Sequence, residues 1–110
     1  MIRVDLRLAD GCVESLLMEG HAPTDAGVSV VCAAVTGIVR AAVDALLERE
    51  RTNDLCVTAD APTRGRLSVG VANRDADRQW LRGVTDVLVT GLVRIAQEAP
   101  ADVTVRVVRN

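Results

Sequence analysis

The spacing of apolar residues switches between two periods along this chain, and the order of the switches constrains its fold more than any other feature. Ile2, Val4, Leu6 and Leu8 alternate with Arg3, Asp5 and Arg7, the period-two signature of a half-buried strand. Asp10-Gly11 is a turn signal, and Cys12 to Glu19 reads as the returning strand of a hairpin. The run Leu16-Leu17-Met18 breaks the alternation, which predicts a bulge there or burial on both faces. Gly20 to Gly27 has the composition of a loop. The period then becomes helical from Val30 to Arg49, with Ser29 or a near neighbour as N-cap. Val31, Val35, Ile38, Val39, Ala42, Val43 and Leu46 form the apolar side of this helix. Thr36, Arg40, Asp44 and Glu48 follow at four-residue steps as a narrow polar stripe that drifts about 40° per step.

The same alternation of periods then repeats. Leu55, Val57 and Ala59 mark a third strand, Ala61 to Gly65 a turn, and Leu67, Val69 and Val71 a fourth strand. Asn73 is the predicted cap of a second helix, with Asp75 and Asp77 in its first turn, where the helix dipole favours carboxylates. Trp80, Leu81, Val84, Leu88, Leu92 and Ile95 give that helix its buried side, and Pro100 ends it. Val103, Val105 and Val107 alternate in a last strand. The order ββαββαβ, without repeats or low-complexity segments, predicts an α+β two-layer sandwich: a mostly antiparallel sheet with both helices on one face. A length of 110 residues suits a single domain over 1–110. With Trp80 as the sole aromatic, its core must be filled by Val, Leu, Ile and Ala.

Charge narrows the function classes. The formal net charge is −2 and all thirteen positive residues are arginines, so no basic footprint for nucleic acid is expected. The arginine, alanine and valine bias reads as the mark of a GC-rich genome. No apolar run is expected to approach the length needed to span a bilayer, and the alternating N-terminus is unlike a signal peptide; a cytoplasmic protein without membrane contact is expected. Cys12, Cys32 and Cys56 are odd in number and widely spaced, which predicts reduced thiols. Together with His21 they lie on four separate segments without paired ligand spacing, so neither a metal site nor a cofactor is expected.

Two residues can carry chemistry. His21 is the only histidine and opens a glycine-bounded loop; it is either a surface histidine without a role or a base. Cys32 falls in the first helical turn, where unpaired N–H groups and the dipole favour a thiolate, and four residues before Thr36 at the head of the polar stripe. The competing reading is that cysteine often serves as a small buried hydrophobe, as Cys12 and Cys56 are expected to do. The two candidates are eleven residues apart, so the loop can fold His21 over the helix start, where imidazole would take the thiol proton and free N–H groups would hold an oxyanion. Arg64 and Arg66 flank a turn and read as solvated charges, with substrate contact as the alternative.

Gly20-His21-Ala22, Gly27, and the segment Val31-Cys32-Ala33-Ala34-Val35-Thr36 together resemble the ribosomal-processing cysteine protease family Prp. The likeness in length and element order extends over nearly the whole chain. It implies a cysteine endopeptidase that removes the N-terminal extension of a large-subunit ribosomal protein, with Cys32 as nucleophile, His21 as base and Thr36 at the family's hydroxyl position. It also implies a tendency to form a homodimer and a preference for an aromatic residue before the cut. Two departures stand out. The family usually has an aspartate three residues before the cysteine, where this chain has Ser29, and the loop between histidine and glycine is one residue shorter. Asp25 is the candidate substitute for the missing carboxylate. The aspartate's loss favours the alternative function, a non-catalytic ribosome-assembly or interaction module with the same fold.

Overall fold

The N-terminal alternation does form a strand, and it becomes an inner strand of the sheet. In a computed structural model covering residues 1–20, 30–52, 55–63, 65–73 and 78–110, the elements run β1 (Ile2–Ala9), β2 (Cys12–Gly20), α1 (Val30–Glu50), β3 (Leu55–Asp60), β4 (Arg66–Asn73), α2 (Arg78–Glu98) and β5 (Val103–Arg109). The five strands form one sheet in the order β3-β4-β2-β1-β5. The pairs β1–β2, β2–β4 and β3–β4 are antiparallel, as the hairpins predict, whereas β5 joins β1 in parallel. A parallel partner needs a crossover connection, and α2 supplies it by spanning from β4 to the far edge. The sheet is therefore mixed, within the two-layer α+β architecture. Asp10 and Gly11 take φ values of 53° and 77°, the paired left-handed geometry that matches a tight hairpin to the twist of its strands.

Ile2, Val4, Leu6 and Leu8 of β1 are at most 2% exposed and meet Val35, Val39 and Leu46 of α1 and Leu81, Leu88 and Leu92 of α2 in one apolar cluster. Each such side chain contributes about 1.5–3 kcal/mol by leaving water, and no aromatic is needed among the fully buried ones. Trp80 is half-buried and has the Arg49 guanidinium 4.9 Å from its ring centroid. The C-terminal end of α1 is tied to the sheet edge, where Val57 N–H donates to Glu50 Oε2 at 2.6 Å. That bond covers a donor which an edge strand would otherwise leave open.

Three local expectations are corrected. The bulge lies not in Leu16–Met18 but at Glu14, since Arg7 pairs with Ser15 and Leu8 with Val13. The buried Thr85 hydroxyl accepts the Val13 N–H at 2.9 Å beside it and donates to Leu81 O at 2.7 Å, so α2 satisfies a group that the bulge takes out of the ladder. Asn73 does not cap α2: it ends β4 opposite Leu55, and the helix begins at Arg78 with no acidic residue in its first turn. Asp75 and Asp77 lie outside the described residues. Finally, the expectation of no span-length apolar segment does not hold for α1, which is long and apolar enough to cross a membrane by length and composition. Here it packs along the sheet, with Val35, Val39 and Leu46 buried.

Candidate active site

Cys32 is the third residue of α1 and so lies in the first turn of that helix. The aligned peptide dipoles make this end of the helix favourable for an anion. None of the three cysteines is in a disulfide. Cys12 is buried in the core and Cys56 lies half-buried in the edge strand β3, each at the border of a cavity, of about 320 and 380 Å³ respectively, and Cys32 packs against the core and lines a cavity of about 440 Å³.

Three parts of the fold enclose the Cys32 cavity. Helix α1 supplies Cys32, Thr36, Val39 and Arg40, spread over three successive turns. The outer ends of β1 and β2 supply Ile2, Met18 and Gly20, and the β3–β4 turn with the start of β4 supplies the opposite wall, Thr63 and Leu67 included. Met18 and Leu67 are partners in the β2–β4 ladder, so the pairing register brings these distant segments to one place. The helical spacing puts Cys32 and Thr36 on one stripe of α1. The β3–β4 wall is missed from sequence because nothing local to Ala61–Leu67 says which strand β4 will join.

Gly20 ends β2 and is the last described residue before His21 in the sequence. Its φ is 96°, its N–H donates to Gly65 O at 2.8 Å, and it lines the cavity that Cys32 opens onto. His21, Asp25 and Ser29 lie outside the described residues, so among the sequence candidates Cys32 and Thr36 are placed, and they share one cavity. Another cavity, about 550 Å³, runs between α1 and α2. Its lining of Ile38, Trp80, Val87 and small residues contains no nucleophile. Among the described residues no group of three or more His, Cys, Asp or Glu side chains is arranged to hold a metal ion.

A thiol in the first turn of a helix, lining a cavity, can carry acyl transfer when a base reaches it. A sequence profile of the family described as cysteine protease Prp matches residues 1–104. Among solved structures, the ribosomal processing protease Prp from S. aureus with a covalently linked product peptide aligns with a TM-score of 0.80 at 20% identity, covering 97% of this chain and 99% of that one. The same S. aureus protease with a substrate peptide aligns at 0.77 and 18% identity, over 97% and 99% of the two chains. SMU.848 from Streptococcus mutans aligns at 0.77 and 23% identity, over 100% and 99%. A search of curated proteins finds no match.

Proposed function

The chain belongs to the Prp family of cysteine proteases, and from that premise we propose that it removes the N-terminal extension of a large-subunit ribosomal protein, with Cys32 as nucleophile and His21 as general base. The observation that carries this reading is that Cys32, in the first turn of α1, shares its cavity with Gly20, the residue that precedes His21. His21 takes the Cys32 proton, and the thiolate adds to the carbonyl carbon of the scissile peptide bond. N–H groups of the first α1 turn hold the oxyanion as it forms. The tetrahedral intermediate collapses when protonated His21 gives its proton to the leaving amine, which departs as the new N-terminus. A thioester on Cys32 remains, and water activated by His21 hydrolyses it, releasing the peptide carboxylate and the thiol. The covalently linked product peptide of the S. aureus relative supports a covalent route. Thr36, one turn below Cys32 in the same cavity, is the proposed hydroxyl support, and Ser29 or Asp25 the support of His21.

The test is incubation with the extended ribosomal protein, read by mass spectrometry. A single cut that removes the extension is expected from the intact protein and from neither Cys32→Ala nor His21→Ala. Cleavage by a folded Cys32→Ala protein would overturn the nucleophile assignment, and no cleavage by the intact protein would favour the non-catalytic module. The same reading places the protein in the cytoplasm as a homodimer, with the apolar α1–α2 groove as its interface, which sedimentation analysis of wild type and Val87→Glu checks.

A further inference from the structure

Cys32 and Thr36 have a third companion in the cavity that the reaction does not use. Arg40 stands one turn beyond Thr36 on the same stripe, is exposed, and lines the same wall. The charged side chains of that lining are Arg40 and Arg66, with no Asp or Glu among the described residues around it. Arg66 is partly neutralised by Glu19 at 3.7 Å. Among the described residues no ion pair involves Arg40. The nearest acid on its own helix, Asp44, sits four residues on, in the order that favours an Arg–Asp pair least, and does not line the cavity. A protein of net charge −2 thus keeps a guanidinium without a carboxylate partner among the described residues in the hollow that holds its proposed nucleophile.

We propose that Arg40 is a specificity-determining residue whose guanidinium binds an acidic side chain of the peptide substrate, two to four residues from the scissile bond. The proposal rests on the reading of this cavity as the peptide site. Its spacing follows from geometry. Eight helical residues separate Cys32 from Arg40, a rise of about 12 Å, and a long helical side chain leans back toward the N-terminus, bringing its head nearer the thiol. An extended peptide advances about 3.3 Å per residue, so a carboxylate two to four residues from the carbonyl under attack comes within reach. Arginine suits the task because its planar fork binds a carboxylate through two parallel N–H donors.

The experiment uses the full chain and peptides spanning the ribosomal protein's cleavage point, with each position two to four residues to either side replaced in turn by Glu, Gln or Lys. At one position kcat/KM should rank Glu above Gln above Lys, with about a tenfold spread between Glu and Lys at low salt, as expected of one charge-assisted contact. The spread should shrink at about 1 M salt, where the Debye length falls to about 3 Å. Arg40→Glu should invert the ranking, and Arg40→Lys should keep it with a smaller ratio, with thermal melts showing that each variant is folded. Equal turnover of all peptides, or a Glu preference that persists in Arg40→Glu, would overturn the proposal. Binding of the same peptides to Cys32→Ala separates the two readings. A Glu preference in Kd that disappears with Arg40→Glu supports the Arg40 contact even if the intact protein cleaves nothing, whereas cleavage without any charge preference overturns the contact alone.

Discussion

Replacing Gly20 with alanine tests the end of β2 that borders the Cys32 cavity and precedes His21 in the sequence. A φ of 96° costs an L-residue about 1–2 kcal/mol. A Cβ at this position would also collide with the backbone carbonyl of Met1. That carbonyl cannot simply step aside. Ile2 pairs with Gly20 across the β1–β2 ladder, and the Ile2 N–H donates to Asp102 O at 2.7 Å, so the first peptide is held from both sides. Relief of such an overlap costs about 1–3 kcal/mol, giving about 2–5 kcal/mol in all. At about 4 °C per kcal/mol for a chain of this size, the melting temperature should fall by about 8–20 °C.

Gly37→Ala is the internal control. It lies exposed in α1, and nothing would meet its Cβ within 4 Å. Alanine there should stabilise the protein by about 0.5–1 kcal/mol through helix propensity. The assays are thermal melts followed by circular dichroism, and peptide cleavage at a temperature where every variant is folded. Gly20→Ala should lose cleavage beyond what its folded fraction explains, because a displacement of about 1 Å in a reacting group can cost about a hundredfold. A melt within about 2 °C of wild type would refute the strain argument. A large drop in melting temperature with unchanged turnover would refute a link between the Gly20 backbone and catalysis.

Thr85→Val should cost about 1–3 kcal/mol in urea unfolding, since it preserves shape but leaves the Val13 N–H buried without its acceptor; Thr85→Ser should cost less. Gly91→Ala would drive a Cβ into Ile38 Cδ1 where the helices touch, for about 1–3 kcal/mol, and Ile38→Val should recover much of that loss in a double-mutant cycle. With limiting iodoacetamide at neutral pH, peptide mapping should show Cys32 labelled ahead of Cys56 and far ahead of the buried Cys12. Ser29→Asp should raise turnover if a carboxylate at that position supports the His21 imidazolium; if Asp25 already does so, Asp25→Ala slows turnover instead, with melts as the folding control.

What the sequence makes legible depends on how local each cause is. The alternation of Ile2 to Leu8 and the helical spacing of Val35, Val39 and Leu46 are written within one element, and their burial follows. The direction of β5 is not, because Val103, Val105 and Val107 alternate equally well in a parallel or an antiparallel strand; the α2 crossover decides. Thr85 reads as a polar residue among apolar ones until the bulge at Glu14 gives its hydroxyl a donor to accept. Asn73 has the composition of a cap, but its ladder with Leu55 holds it in β4. At the site, Cys32 and Thr36 are visible through one period of one helix, whereas the wall that faces them depends on which strand β4 joins.

The placement of Cys32 also follows from the core line beside it. Val31, Val35 and Val39 run along the side of α1 turned to the sheet, the last two with no exposed surface and Val31 half-buried. Cys32, Thr36 and Arg40 each follow one residue later, rotated by about 100° around the axis, which sets them at the border between core and solvent. Cys32 and Thr36 are accordingly half-buried and Arg40 is exposed, since each four-residue step drifts a further 40° or so outward. By Glu48 the stripe has left the cavity altogether, and the carboxylate pairs with Arg51 at 3.3 Å on the open surface. The usable length of the stripe is thus about three turns, long enough to place a thiol, a hydroxyl and a cation along one wall. Because the valines set the helix's rotation, truncating Val35 or Val39 in the fully packed core would shift all three wall residues together.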